Sequence, residues 1–345
     1  METKKTFSFF DNIDKLFRRN IKENKVIDPP EVYTPLNDCA NAILNETIIK
    51  TEKDFTMCCL TWNMHGLTPS PKEIDNLLSP HKGFDIYAIG SEECLRSIFQ
   101  SLFISDKSYW ERQLSHYFGD EYIMVSSVTL SAIHLIVFIK AEHENIISNI
   151  GSNSVKTGFI NMLGNKGGVG IWFYLYNMSF LIINSHLAAG QTNSQKRNED
   201  FESILTNMNT KVNFTNFIVF MGDLNYRVEK DIEEARALVS EKKFQELLQN
   251  DQLNIERKNL RLKMNGFLEG KINFNPTYKY IDGSSDFEIN SENHIPSWTD
   301  RIFYSKKFVT HAVFDIDLDE YNSMNFIEMS DHKPVYSYFT IKIQA

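Results

Sequence analysis

Residues 169–186 read Val-Gly-Ile-Trp-Phe-Tyr-Leu-Tyr-Asn-Met-Ser-Phe-Leu-Ile-Ile-Asn-Ser-His, and they decide the fold class. Two runs rich in aromatic and β-branched residues, 169–176 and 179–185, are separated by a short break at Asn177. Such runs read as strands, and strands this close in sequence pair antiparallel. The pattern recurs at 121–127 with 132–140. Further strand-like runs lie at 57–63, 84–90, 216–223, 299–304 and 335–343, and helix-like stretches at about 94–105, 193–209, 231–249 and 252–260. The sheets are therefore expected to be mixed, and a layered α/β (α+β) sandwich of sheets and helices is favoured over a barrel.

Composition bounds the function classes. Among 345 residues, 26 Phe and 14 Tyr stand against 15 Gly and 9 Pro, which excludes disorder over most of the chain and supplies a sizeable core. The net charge of −9 argues against a generic nucleic-acid binder, so a polyanionic substrate would need a locally basic or metal-holding cleft. Cys39, Cys58, Cys59 and Cys94 show no C-x-x-C spacing, which points to a reducing compartment and no disulfide framework. No apolar run reaches about 18 residues. The start Met-Glu-Thr-Lys-Lys lacks a signal peptide's apolar region, Glu2 does not fit myristoylation, and the last four residues hold no Cys for prenylation. The expectation is a cytoplasmic protein.

Residues 1–51 read as an N-terminal extension and 52–345 as one catalytic domain. Lys4, Lys5, Lys15, Arg18, Arg19, Lys22 and Lys25 accompany Phe10, Ile13, Phe17 and Ile21 at helical spacing. This basic amphipathic segment suits either an anionic membrane surface or the protein's own surface. Asp28-Pro29-Pro30 ends it, and 27–51 reads as a linker.

Polar residues collect where strands run out. Glu92 and Glu93 follow Ile86–Gly90, His186 follows Leu181–Ser185, and Asp223 and Asn225 follow Phe217–Met221. Asp300 and Arg301 follow Ser297-Trp298-Thr299, and Asp331 and His332 precede the last strand. One such end is ordinary turn chemistry, but five carrying Glu, Asp, Asn and His suggest metal-assisted hydrolysis. Carboxylates suit Mg²⁺, a His can contact a phosphoryl group, and an Asp behind it can fix its tautomer. Asp223 and Asn225, two apart, can aim at one water. No Walker loop, H-E-x-x-H or zinc-type cysteine spacing competes. Gly164-Asn165-Lys166-Gly167-Gly168 reads as a plain turn or as a phosphate contact. Lys196, Arg197, Lys279 and Arg301 are surface charges or the lining of a cleft for a multiply phosphorylated substrate.

The chain resembles the inositol polyphosphate 5-phosphatases, most closely the type II group that includes the synaptojanin catalytic domain. The matching segments are TWNMHG (61–66), DIYAIGSEE (85–93), VKTGFINMLGNKGGVGI (155–171), NSHLAAGQ (184–191), RNEDF (197–201), GDLNYRV (222–228), GFLEGKINFNPTYKY (266–280), PSWTDRI (296–302) and SDHKPV (330–335). The metal and His elements are shared with nucleases of the superfamily, whereas GNKGG, HLAAGQ with RNEDF, PTYKY and SWTDRI together are specific.

The resemblance implies a deoxyribonuclease-I-like four-layer sandwich, two packed mixed sheets flanked by helices. It implies Mg²⁺ held by Glu93, with Asn63 and Asp331 at or near it. Asp223 would be the general base, Asn225 would position the water, and His332, oriented by Asp300, would contact the scissile phosphate beside His186. Tyr278, Lys279 and Arg301 would recognise the inositol ring and its 4-phosphate, with Lys166, Arg197 and Asn165 in the same cleft. Phe159, Ile160, Met162 and Leu163 would touch lipid, or else fold into the core. The implied activity is 5-phosphate hydrolysis, with phosphatidylinositol 4,5-bisphosphate as leading substrate. The 3,4,5-trisphosphate and soluble inositol polyphosphates are further candidates. The implied setting is a monomer, peripheral on an anionic phosphoinositide membrane, with no nucleic-acid partner. A nuclease or phosphodiesterase on the same scaffold, or a catalytically weak phosphoinositide-binding module, are the rivals. Three departures from the family pattern are Ser91 before the Glu pair, His65 in the first motif, and Ile281 displacing the aspartate after PTYKY to Asp282.

Overall fold

The computed structural model describes residues 52–94, 108–158, 166–209, 215–262, 264, 266–288, 294–306 and 315–344. The 1–51 extension and most of the 94–105 stretch lie outside these residues, as do Asn165, Phe159, Ile160, Met162 and Leu163.

In chain order the strands are β1 (Glu52–Asn63), β2 (Ile86–Glu92), β3 (Tyr122–Leu130), β4 (Ile133–Lys140), β5 (Ile147–Lys156), β6 (Gly167–Leu175), β7 (Met178–His186), β8 (Phe217–Asp223), β9 (Leu268–Glu269), β10 (Asp300–Lys306), β11 (Asp315–Ser323) and β12 (Val335–Gln344). The helices are α1 (Pro71–Leu78), α2 (Ser108–Phe118), α3 (Ser194–Asn209), α4 (Ile232–Ser240), α5 (Phe244–Leu247) and α6 (Gln252–Lys258). They form two six-stranded sheets, ordered β11-β12-β1-β2-β4-β3 and β5-β6-β7-β8-β10-β9. Each sheet holds one parallel pair, β1–β2 and β7–β8, among antiparallel neighbours.

Alternation along each strand builds four layers. Cys59, Ala88, Val137 and Phe339 of the first sheet face Ile171, Phe180, Ile182, Val219 and Met221 of the second, in one buried core. The other face of the first sheet, Leu60, Trp62, Tyr87, Ile89 and Phe138, packs on Ile74, Leu77 and Leu78 of α1 and Trp110 and Leu114 of α2. The other face of the second sheet, Leu181, Ile183, Ile218 and Phe220, packs on Phe201, Ile204, Leu205 and Met208 of α3. With both faces covered, the central strands read as unbroken apolar runs.

The sheet ends away from the site carry a polar clasp. Asp85 accepts from Thr56 N (2.8 Å), Thr56 Oγ1 (2.9 Å) and Lys140 Nζ (2.9 Å), with His143 Nε2 at 3.1 Å. Burial alone would raise its pKa, but these donors outweigh burial and lower it from 3.8 to about 2. The stability this carboxylate contributes is complete above pH 4 and is lost as pH falls through about 2. Replacing Asp85 with Ala should cost about 2–4 kcal/mol at pH 7. Urea unfolding should show that cost shrinking on acidification, and a cost that stays flat from pH 7 to pH 2 would contradict it.

Candidate active site

The inner-facing positions of five strands run past the core and become polar at one edge of the sandwich. On β1 the series Cys59, Thr61 ends at Asn63, and on β2 Ala88 and Gly90 lead to Glu92. On β7 it ends at His186, on β8 at Asp223, and β10 begins at Asp300. Register brings them together: Asn63 lies opposite Glu92, His186 opposite Asp223, and Asp300 opposite Asp223. Close approach of β7 and β8 requires glycine at 222, where φ is +132° and a Cβ would fall 1.9 Å from Ser185 O.

Asp223 is 1% exposed and central. It accepts from Asn63 Nδ2 (3.0 Å) and from the Asn225 backbone N–H (3.0 Å), and His186 Nε2 lies 3.2 Å from Oδ2. Burial works against its charge, but His186, His332 and Lys166 outweigh burial and hold the carboxyl well below the usual range. Lys166 Nζ also meets His186 Nε2, and burial pushes this lysine down to about 8. Opposite, His332 Nδ1 and Asp300 Oδ2 are 2.8 Å apart. Asp300 Oδ2 also accepts from Thr277 Oγ1 (2.7 Å) and Thr299 Oγ1 (2.8 Å). Burial favours the neutral His332 ring, yet Asp300 more than offsets it and raises the pKa to about 10, with smaller help from Asp223 and Asp331. Ligand atoms of Asp223, Asp300 and His332 lie within 4.8 Å of one another.

This convergence matches a family model, Endonuclease/Exonuclease/phosphatase family 2, over residues 60–338. The chain belongs to that family. A relative from Mus musculus named type II inositol 1,4,5-trisphosphate 5-phosphatase is 35% identical over 88% of this chain and 32% of its own length. The chain thus spans about a third of that relative. Among solved structures, the inositol polyphosphate 5-phosphatase domain of a synaptojanin is 28% identical. That domain was crystallised with inositol (1,4)-bisphosphate and a calcium ion. The match covers 90% of this chain and 92% of that one, at a TM-score of 0.73. A nitrophorin of Cimex is 22% identical, covering 84% of this chain and 98% of its own, at a TM-score of 0.67, and shares the fold alone. The deoxyribonuclease-type sandwich expected from sequence is the fold observed.

The family's metal site can be tested on these residues. Glu93 takes φ +52°, which turns the chain out of β2 while Glu92 stays buried between the sheets. Burial, then Asp300 and Asp223, push the Glu92 carboxyl well up, and its Oε1 accepts from Thr61 Oγ1 (3.0 Å). The half-buried Glu93 carboxylate has no hydrogen-bond or ion-pair partner among the described residues and lies close enough to Lys166 to favour its charge. A carboxylate with no such partner, on a turn whose Glu93 carbonyl accepts from Gly66 N (2.8 Å), fits a hard divalent cation that keeps most of its waters. Asp331 is buried beside His332, with Oδ1 2.7 Å from His65 Nδ1 and Oδ2 3.8 Å from Lys279 Nζ. His65, Asp282 and Asp331 cluster there, so two of the sequence departures meet.

Tyr278 and Lys279 are half-buried at the cleft, the Tyr278 ring 4.5 Å from that of His332. Two expected cleft residues are elsewhere. Arg301 alternates to the opposite face of β10 from Asp300 and is fully buried. Its Nε and Nη2 donate to Glu269 (2.5 and 2.8 Å) and its Nη1 to Asp251 (3.1 Å), so the buried guanidinium is held by these two carboxylates rather than presented to the cleft. Arg197 is equally buried. Its Nη1 donates to Ala188 O (3.0 Å) and Gly190 O (2.8 Å), so it shapes the loop after His186 rather than reading substrate. One cleft residue escaped the sequence reading: Arg227, inside the quoted GDLNYRV, donates through Nη2 to Asn225 Oδ1 (2.8 Å).

Proposed function

We propose that residues 52–345 form a Mg²⁺-dependent phosphatase that removes the 5-phosphate of phosphoinositides, with phosphatidylinositol 4,5-bisphosphate as leading substrate. The carrying observation is the buried carboxylate Asp223 facing the His332–Asp300 pair across one cleft, with Tyr278 and Lys279 at its side. Asp223 takes the proton of a water oriented by Asn225. The water oxygen bonds to the 5-phosphorus as the bond from phosphorus to the ring oxygen breaks, and the ring oxygen leaves as a hydroxyl by taking a proton from solvent water, without a covalent phospho-enzyme. The His332 imidazolium, with Asp300 holding Nδ1, offers Nε2–H to the phosphoryl oxygens, and Lys166 beside His186 adds positive charge. Mg²⁺ at Glu93, with Asn63 alongside, would supply Lewis-acid stabilisation of developing charge. Lys279 and Tyr278 read the ring and its 4-phosphate.

The enzyme acts as a monomer at the cytoplasmic face of an anionic membrane, with no nucleic-acid substrate. Residues 158–165 join β5 to β6, and their flanks meet beside the site: Thr157 N donates to Lys166 O (3.1 Å) and Gly167 pairs with His186. That placement supports lipid contact by Phe159, Ile160, Met162 and Leu163. The test is phosphate release from a panel: short-chain and vesicle-bound phosphatidylinositol 4,5-bisphosphate, the 3,4,5-trisphosphate, and inositol 1,4,5-trisphosphate. EDTA should cut release at least about 100-fold and Mg²⁺ should restore it. Vesicle lipid should outpace the short-chain form. Silence across the panel, or full activity in EDTA, would refute the reading.

A further inference from the structure

We propose that Arg227 is a positioning residue: it locks the side-chain amide of Asn225 and the ring of Tyr278 into one geometry, and so sets the line of water attack. This rests on the reading of Asn225 as the residue that orients the water.

A side-chain amide is nearly symmetric in shape, and only its partners decide which end is oxygen. Arg227 has donors only. With Nη2 at 2.8 Å it compels Asn225 Oδ1 to face it, while Asn225 Nδ2 donates to Leu187 O at 3.2 Å. One Nδ2 hydrogen is left for the cleft. The backbone at Asn225 is left-handed, with φ +57°, and Arg227 Nε donates to its carbonyl (3.2 Å). The same guanidinium lies 4.3 Å over the Tyr278 ring, which also packs on the His332 ring. Arg227 therefore ties the water side of the cleft to its ring-reading side.

Arg227 is itself anchored. It is 7% exposed, its N–H donates to Gln252 Oε1 (2.9 Å), and its carbonyl accepts from Gln252 N (2.9 Å). Gln252 Oε1 also accepts from Arg197 Nη2 (2.5 Å). The buried Arg197 thus acts at second hand on the same amide.

The test is a double-substitution cycle in the full chain, with short-chain phosphatidylinositol 4,5-bisphosphate in Mg²⁺. Arg227→Gln should lower kcat by about 30–100-fold with KM within about threefold. In an Asn225→Ala background the same substitution should change kcat by less than about threefold, because the amide it positions is gone and only its stacking on Tyr278 is left to lose. Arg227→Lys should recover part of the loss, since an ammonium reaches Oδ1 but neither stacks flat on Tyr278 nor also bonds the carbonyl. It also replaces Arg227→Gln in the cycle if that variant does not fold. Equal losses in both backgrounds, or a loss confined to KM, would overturn the proposal while leaving the phosphatase reading intact. Wild-type activity in Asn225→Ala would overturn the role of Asn225 and this proposal with it.

Discussion

Replacing Asp223 with Asn should lower kcat by about 10³-fold or more, within the range that general acid–base catalysis supplies. The carboxylate receives two N–H donors, from Asn63 and from the Asn225 backbone, and a His ring nitrogen at 3.2 Å. The asparagine keeps the volume but must turn an NH₂ toward at least one of those donors. It also removes the charge placed to take a proton from water. Because Asp223 is held well below the usual carboxylate range, it is ionised at every working pH and its role does not wait on titration. Its basicity rises when a phosphate dianion faces it, since the added negative charge opposes that stabilisation. KM should stay level or fall, because a negative group opposite an anionic substrate has been removed. Steady-state kinetics decides: activity within tenfold of wild type would eliminate Asp223 as the base, and a matched thermal unfolding curve shows that the fold is intact.

The central strands and their polar ends were legible because both faces of each strand are buried, which makes apolar runs break off sharply at Glu92, His186 and Asp223. The edges were not. β5 reads Ile-Ser-Asn-Ile-Gly-Ser-Asn-Ser-Val-Lys and β11 reads Asp-Ile-Asp-Leu-Asp-Glu-Tyr-Asn-Ser, and each pairs on one side only. Polar edge strands resist pairing with other chains, and the same polarity hides them from a hydrophobicity reading. α1 was missed although Ser70-Pro71-Lys72-Glu73 carries a capping box ahead of Ile74, Leu77 and Leu78. The single helix expected over 231–249 is two, since the chain turns through a left-handed Lys242 (φ +56°) between α4 and α5.

Within the site, carboxylates and histidines at strand ends declared themselves, but the fate of each arginine did not. Arg301 neighbours Asp300 in sequence and is turned from it by the two-residue period of a strand, into Asp251 and Glu269, residues 50 and 32 positions away. Arg227 looked like any charge after an aromatic residue until the turn at Asn225 folded it back on that amide. Pairing between distant segments, which no local pattern encodes, separates a structural arginine from one that serves the cleft.

Asp300→Asn should lower kcat about 10²–10³-fold near pH 7, and the deficit should grow as pH rises. Asp300 is fully buried, and its Oδ2 holds His332 Nδ1 at 2.8 Å with two threonine hydroxyls. Burial pulls the His332 pKa down, and Asp300 is the first influence that lifts it, to about 10. In wild type the ring is charged below that value, so the rate should dip modestly near pH 8, where Lys166 loses its charge, and fall further as pH climbs toward about 10. An asparagine keeps a hydrogen-bonding side chain but not the negative charge. Burial then pulls against Asp223 and Asp331 alone, and the alkaline limb should move down by at least about one unit. The same sign governs stability: the charged pair stabilises the fold most fully below the ring's ordinary value of 6.5 and loses that contribution as pH rises through about 10. A pH–rate profile of kcat from pH 6 to 10, in saturating Mg²⁺, reads the limb directly. A variant whose profile is lowered uniformly, with its limb unmoved, would show that Asp300 orients His332 without keeping it charged. The phosphoryl oxygens would then be met by a neutral ring, and the positive charge opposite them would have to come from Lys166.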